Sequence, residues 1–177
     1  MAATKVLFFD TSALLKMFVD EPGTRNVKWL TSFDTKILNS LHFVVNEQVC
    51  TEFERKIRHF SNIGKISTKK ADGILDKFTR SYKGKYFRFI GQRIISNTQQ
   101  EISIDEVLRD LNLKKGKDDW DGSIYQSISN ALAYLGGESH PILVTCDEKF
   151  ENKVKRKGYR VINPMKQSLE EIQAIIA

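Results

Sequence analysis

Two runs constrain this chain more than anything else in it: Val6-Leu7-Phe8-Phe9-Asp10 and Ile142-Leu143-Val144-Thr145-Cys146-Asp147. Each begins apolar without alternation and ends on a carboxylate. Successive residues of a strand point to opposite faces, so an unbroken apolar run needs cover on both. That pattern predicts two interior strands of a parallel sheet. A charge at the rim of a core is costly unless something pairs with it, so each run asks what its terminal aspartate meets.

The remaining pattern supplies the cover. Besides the strands at 5–9 and 142–145, short strands are expected at 36–38 and 159–162. Helical periodicity is read over 12–19, 24–33, 44–60, 66–80, 103–112, 119–135, 148–157 and from about 167. Glu21-Pro22-Gly23 breaks the first pair of helices and Gly116 precedes the helix at 119. The stripe Val49, Phe53, Ile57 and Phe60 marks the buried side of one helix, and Trp120, Ile124, Ile128, Leu132 and Leu135 that of another. Strands alternating with helices predict an α/β fold with the sheet covered on both sides. No repeat, low-complexity tract or Pro/Gly-rich linker interrupts the 177 residues, so one domain over 1–177 is expected.

Charge is unevenly spread. Residues 55–93 hold twelve Lys and Arg against two acids, Asp72 and Asp76, whereas the rest of the chain holds sixteen against twenty. A block of ten net positive charges beside an acidic remainder points to a polyanion, although charge runs are commonly no more than solvated helix faces. No run approaches the ~20 apolar residues of a membrane helix, and the N-terminus lacks the length and cleavage site of a secretory signal. Cys50 and Cys146 are far apart and make no metal-ligand spacing. A soluble protein of the reducing cytoplasm, with both thiols free, is the expectation.

In open α/β sheets, ligands bind outside the carboxyl ends of the strands. If the two interior strands are neighbours, Asp10 and Asp147 share one edge. Asp118 and Asp121, three apart in KKGKDDWDGSIYQ, face the same way at the start of a helix, where acids are favoured in any case by the helix dipole. Glu47 in VVNEQVCTEFERK opens another helix; Glu54 lies one heptad on, so pattern does not separate them. Several carboxylates brought together repel one another and take up protons unless a hard cation neutralises them. With no set of His or Cys ligands, Mg²⁺ or Mn²⁺ suits these donors and zinc does not.

The stretch DTSALLKMFVDEPGT resembles the opening of PIN-domain proteins, particularly the VapC-like toxins of toxin–antitoxin pairs. Asn46-Glu47, Asp121 before Ile-Tyr-Gln, Thr145-Cys146-Asp147 with Phe150, and Asn163-Pro164 follow in the family's order across nearly the whole chain. The resemblance implies a three-layer α/β/α PIN-like fold with a central, mainly parallel sheet. It also implies a metal-dependent endoribonuclease in which Asp10, Glu47, Asp121 and Asp147 form an acidic quartet around Mg²⁺ (or Mn²⁺). Thr11 and Thr145 would position the acids or a metal-bound water, and Asp118 would be an accessory ligand. A small antitoxin and a homodimeric state are implied as well. The span between Glu47 and Asp121 is longer than in compact members, which also leaves Glu52 and Glu54 in contention with Glu47.

Other chemistries are less well supplied. A haloacid-dehalogenase-type phosphotransferase needs a second aspartate where Ser12 stands, and His42, His59 and His140 lack a nucleophile in a sharp Gly-flanked turn. RSYKGKYFRFIGQR interleaves Tyr82, Tyr86, Phe87 and Phe89 with Arg80, Lys83, Lys85, Arg88 and Arg93, as a surface that stacks RNA bases and meets phosphates would. Phe87 and Phe89 read better as core, and Tyr82 and Tyr86 are left open. Lys16, about one turn beyond Asp10, is placed to meet RNA at closer range. The readings carried forward are an endoribonuclease acting as a toxin, a non-toxin PIN-domain protein that processes or binds RNA, and a binding module whose acids only satisfy backbone amides.

Overall fold

The computed structural model describes residues 4–31, 41–81, 104–118, 121–126, 128 and 139–177. Four strands, β1 (Thr4–Phe9), β2 (Leu41–Val44), β3 (Ser139–Val144) and β4 (Arg160–Ile162), form one sheet in the order β2-β1-β3-β4, every pair parallel. The helices are α1 (Thr11–Leu15), α2 (Thr24–Thr31), α3 (Glu47–Asn62), α4 (Thr68–Ser81), α5 (Ile104–Asp110), α6 (121–126), α7 (Glu148–Arg156) and α8 (Leu169–Ile176). The architecture is α/β/α.

β1 is the central element. It pairs with β2 from Lys5 to Phe8 and with β3 from Thr4 to Phe9, so its backbone is satisfied on both edges. Val6, Leu7, Phe8 and Phe9 are all buried, as are Ile142, Leu143 and Val144 of β3. That is the two-sided cover the unbroken apolar runs require. β2 lies at 41–44, ahead of the expected helix; His42 breaks its apolar run and hides it from a reading by pattern. The strand expected at 36–38 lies outside the described residues.

Aromatic packing ties the helices that matter for the site. Phe53 of α3 stacks against Phe78 of α4 at 4.5 Å between ring centroids and against Phe18, just beyond α1, at 5.1 Å. Val49, Phe53 and Ile57 are buried along α3, whose first turn is capped by Asn46: its Oδ1 accepts from the Val49 N–H at 2.8 Å. Gly23 turns the chain into α2 at φ +88°, a conformation glycine adopts without strain. Asn26 of α2 then donates to the Pro164 and Gln167 carbonyls at 2.8 and 2.9 Å, fixing the turn after β4. Ile124 and Ile128 are buried as their stripe predicts; Trp120, Leu132 and Leu135 lie outside the described residues.

Strand order sets where a ligand would bind. The chain leaves β1 to one side for β2 and returns past it to β3, so the winding reverses between β1 and β3. Open α/β sheets carry a crevice there, outside the carboxyl ends of the strands.

Candidate active site

β1 ends at Phe9 and β3 at Val144, directly opposite in register, and the Asp10 N–H donates to the Val144 carbonyl at 2.9 Å. Asp10 and Thr145 therefore leave the sheet side by side at the point of reversal. Thr145 is fully buried and donates its hydroxyl to Asp10 Oδ2 at 2.7 Å, while Oγ1 accepts from the Asp147 N–H at 3.0 Å. One hydroxyl thus joins the first aspartate to the backbone of the last.

Asp10 occupies the N-cap position of α1 yet makes no side-chain capping bond. Its Oδ2 is taken by two hydroxyls, Thr145 and Ser12, the latter at 2.5 Å. Ser12 Oγ in turn accepts from the Cys146 N–H at 2.9 Å, so Ser12 bridges the ends of β1 and β3. Asp10 is only 5% exposed. Burial pushes its carboxyl up, the Ser12 and Thr145 hydroxyls pull it back, and the charge of Glu52 pushes it up again.

Glu52 is the glutamate that reaches this group. Thr11 donates to Glu52 Oε2 at 2.5 Å, and Lys56 pairs with Oε1 at 3.2 Å. Glu47, in the first turn of α3, is exposed, and it is the charge of Glu52 that bears on both Asp10 and Asp121. The helix spacing explains the difference. Glu52 flanks the buried stripe beside Val49 and Phe53 on the side that packs toward α1, a rotation that periodicity alone leaves open.

Asp121 opens α6, half-buried, and is pushed up to about 7 by burial and by the charges of Asp10, Asp147, Asp118 and Glu52. Five carboxylates from four separate places in the chain therefore share one electrostatic field. Two of them also have local duties. Asp147 caps α7, its Oδ1 accepting from the Lys149 and Phe150 N–H groups at 2.8 and 3.0 Å. Asp118 Oδ2 accepts from the Lys114 N–H at 2.9 Å. Among the described residues no three His, Cys, Asp or Glu side chains stand arranged as a ready ligand set for a metal ion. The donor chemistry nonetheless fits a hard cation: the clustered side chains present oxygen alone, and their mutual repulsion is what such a cation relieves.

Lys16 is buried and pairs with Glu21 at 2.7 Å; Glu21 also holds Lys65, and the two cations keep its carboxyl below the usual range. Lys16 is thus committed to the turn before α2. Arg80 is exposed and pairs with Asp76. Lys83, Lys85, Arg88 and the aromatics interleaved with them lie outside the described residues. Cys50 and Cys146 form no disulfide with each other, and burial raises the Cys146 thiol to about 11. Among the described residues no helix is long and apolar enough to cross a membrane.

Ser12 is the contributor that pattern missed. Its position two residues past a strand-terminal aspartate, at the opening of a helix, was the available clue, since Ser and Thr hydroxyls there commonly bond nearby polar groups.

No protein-family model matches the sequence, and no curated protein matches it.

Proposed function

We propose that this chain is a metal-dependent endoribonuclease of PIN-domain type, acting as the toxin of a toxin–antitoxin pair in the cytoplasm. The observation that carries the nuclease reading is the raised carboxyl of Asp121, about 7, perturbed by Asp10, Asp147, Asp118 and Glu52 together. Acids of such different chain position held within one field suit a site that hands its repulsion to a bound cation. Asp10, Glu52, Asp121 and Asp147 are the residues that would hold Mg²⁺ or Mn²⁺, with Glu52 in the role first expected of Glu47. When bound, the ion supplies an activated water and neutralises charge on the scissile phosphodiester.

The chain's own groups do the positioning. Thr145 and Ser12 direct two hydroxyls at Oδ2 of Asp10 and so fix the orientation of that carboxylate. Thr11 does the same for Glu52. Asp121, its carboxyl raised to about 7, is partly protonated near neutrality and would have to be ionised to hold a cation. The toxin assignment, the antitoxin and the dimer rest on the resemblance of DTSALLKMFVDEPGT.

One observation favours a second reading. Asp147 caps α7 and Asp118 binds the Lys114 N–H, as acids in a purely structural role would. On that reading the chain is an RNA-binding module without catalysis.

Incubation with single-stranded RNA and Mg²⁺ or Mn²⁺, beside Asp10→Ala and a chelator control, separates the two. Metal-dependent cleavage that Asp10→Ala abolishes is expected. Binding without cleavage supports the module; equal cleavage by both proteins defeats the nuclease. Growth arrest on induced expression, relieved by Asp10→Ala, is expected of a toxin.

A further inference from the structure

The antiparallel hairpin of α3 and α4 carries the described part of the basic block, and its cations fall into two kinds. Lys56, Lys65 and Arg80 are engaged, by Glu52, Glu21 and Asp76. Arg55, Arg58, Lys69, Lys70 and Lys77 are exposed and make no ion pair among the described residues. Nothing among those residues folds over them to use that charge.

Their placement is regular. Val49, Phe53 and Ile57 occupy the buried stripe of α3, and Arg55 and Arg58 lie three apart on its far side. On α4, Lys70 and Lys77 stand one heptad apart with exposed Gly73 between them on the same stripe. Apart from the adjoining residues and the helix's own backbone, no heavy atom lies within 4 Å of where a Gly73 side chain would begin. Two lysines about 10 Å apart along the helix, with bare backbone between them, leave room for a chain of phosphates to lie close.

The hairpin is also mechanically continuous with the acidic site. Glu52 sits on the same helix as Arg55 and Arg58, and α3 is locked to α4 through Phe53 and Phe78. From Glu52 to the end of α3 at Asn62 is ten residues, or about 15 Å of rigid helix.

We propose that the α3–α4 hairpin is an RNA-backbone exosite, which holds the substrate strand on Arg55, Arg58, Lys70 and Lys77 while a phosphodiester lies at the acidic cluster. The inference rests on the nuclease reading for the identity of the strand. It adds that the substrate extends well past the scissile bond, so that long single-stranded RNA rather than a dinucleotide is the natural ligand. Phosphate contacts of this kind give affinity without sequence preference and a strong dependence on salt.

The test measures binding in chelator, where no cleavage occurs. A fluorescent single-stranded RNA of twenty or so nucleotides is titrated with the protein across a series of salt concentrations. Neutralising one phosphate-binding cation lowers the slope of log affinity against log salt by about 0.7. A quadruple variant, Arg55→Gln with Arg58→Gln, Lys70→Gln and Lys77→Gln, is expected to lose about 2 to 3 from that slope. A control removes the same charge elsewhere, as Arg25→Gln with Lys28→Gln, Arg109→Gln and Arg156→Gln, and is expected to keep most of the slope.

An unchanged slope in the hairpin variant overturns the proposal, as does equal loss in both variants, which would mark a diffuse effect of net charge. Wild-type protein that ignores RNA but binds an acidic protein through the hairpin overturns it as well. Binding in chelator is independent of catalysis. RNA held on the hairpin but never cut with Mg²⁺ leaves the exosite standing and removes the nuclease; cleavage with no change in slope does the reverse.

Discussion

Thr145 donates its hydroxyl to Asp10 Oδ2 at 2.7 Å across 135 positions of sequence, inside the core. Thr145 Oγ1 also accepts from the Asp147 N–H, so it sets the spacing between two strand-terminal aspartates. Thr145→Val keeps the shape and removes both bonds. Taking one of two hydroxyl donors from buried Asp10 and the acceptor from the Asp147 N–H should cost roughly 1–3 kcal/mol, read as a fall in thermal midpoint of several degrees. Thr145→Ser retains the hydroxyl and should recover most RNA cleavage. A serine variant as inactive as the valine one would contradict this role.

Glu52 and Glu47 stand five residues apart on α3, and only Glu52 meets Thr11. Glu52→Gln should lower metal-dependent RNA cleavage by at least about 10²-fold, the scale of losing one electrostatic partner of a reaction centre. Glu47→Gln should stay within a few-fold of wild type. Single-turnover kinetics on one RNA substrate measures both, and the reverse ranking would sink the assignment.

The carboxyl of Asp121 titrates near 7 in the folded chain, against about 3.8 for the unperturbed group. Between those values the folded state holds a proton that the unfolded state has released. Stability from this group is therefore fully present below about pH 4 and is lost as pH rises through 7. Asp121→Asn mimics the protonated form at every pH. It should match wild type near pH 4 and exceed it at pH 8 by roughly 1–2 kcal/mol, after allowance for solvent screening at a half-buried group. Urea unfolding at the two pH values in chelator checks the sign.

Metal should offset that advantage. A cation that binds the folded acids stabilises wild type by about 1.4 kcal/mol at ten times its dissociation constant. At pH 8, Mg²⁺ should raise the wild-type midpoint and leave that of Asp121→Asn nearly still. Differential scanning calorimetry with and without Mg²⁺ reads the difference. Equal shifts would place the metal elsewhere.

Gly23 sits at φ +88°, and a Cβ there would lie 3.1 Å from Met165 Cγ and 3.3 Å from the Met165 nitrogen. Gly23→Ala combines a left-handed backbone with an approach tighter than ordinary packing. The expected cost is about 1–2 kcal/mol, visible as a lower urea midpoint with an unchanged slope.

Much of this was legible beforehand. Apolar runs without alternation at 6–9 and 142–144 require strands covered on both faces, and both are interior strands of the parallel sheet. The stripe Val49, Phe53 and Ile57 is buried as its period demands. β2 escaped because four residues with His42 among them carry little periodicity. Lys16 was expected to face RNA and is instead paired with Glu21, an acid brought to it by the turn ahead of α2.

The sequence by itself determined that Asp10 ends a buried strand, since only a sheet covered on both faces accommodates four successive apolar side chains before it. It equally determined that α3 buries one stripe. Only the tertiary structure decided that Glu52 rather than Glu47 turns toward Asp10, and that Thr145 and Ser12 share one carboxylate oxygen. Periodicity assigns a residue to a face of its own element. How far that element is rotated and slid against its neighbours depends on the packing of Phe18, Phe53 and Phe78, which no local pattern contains.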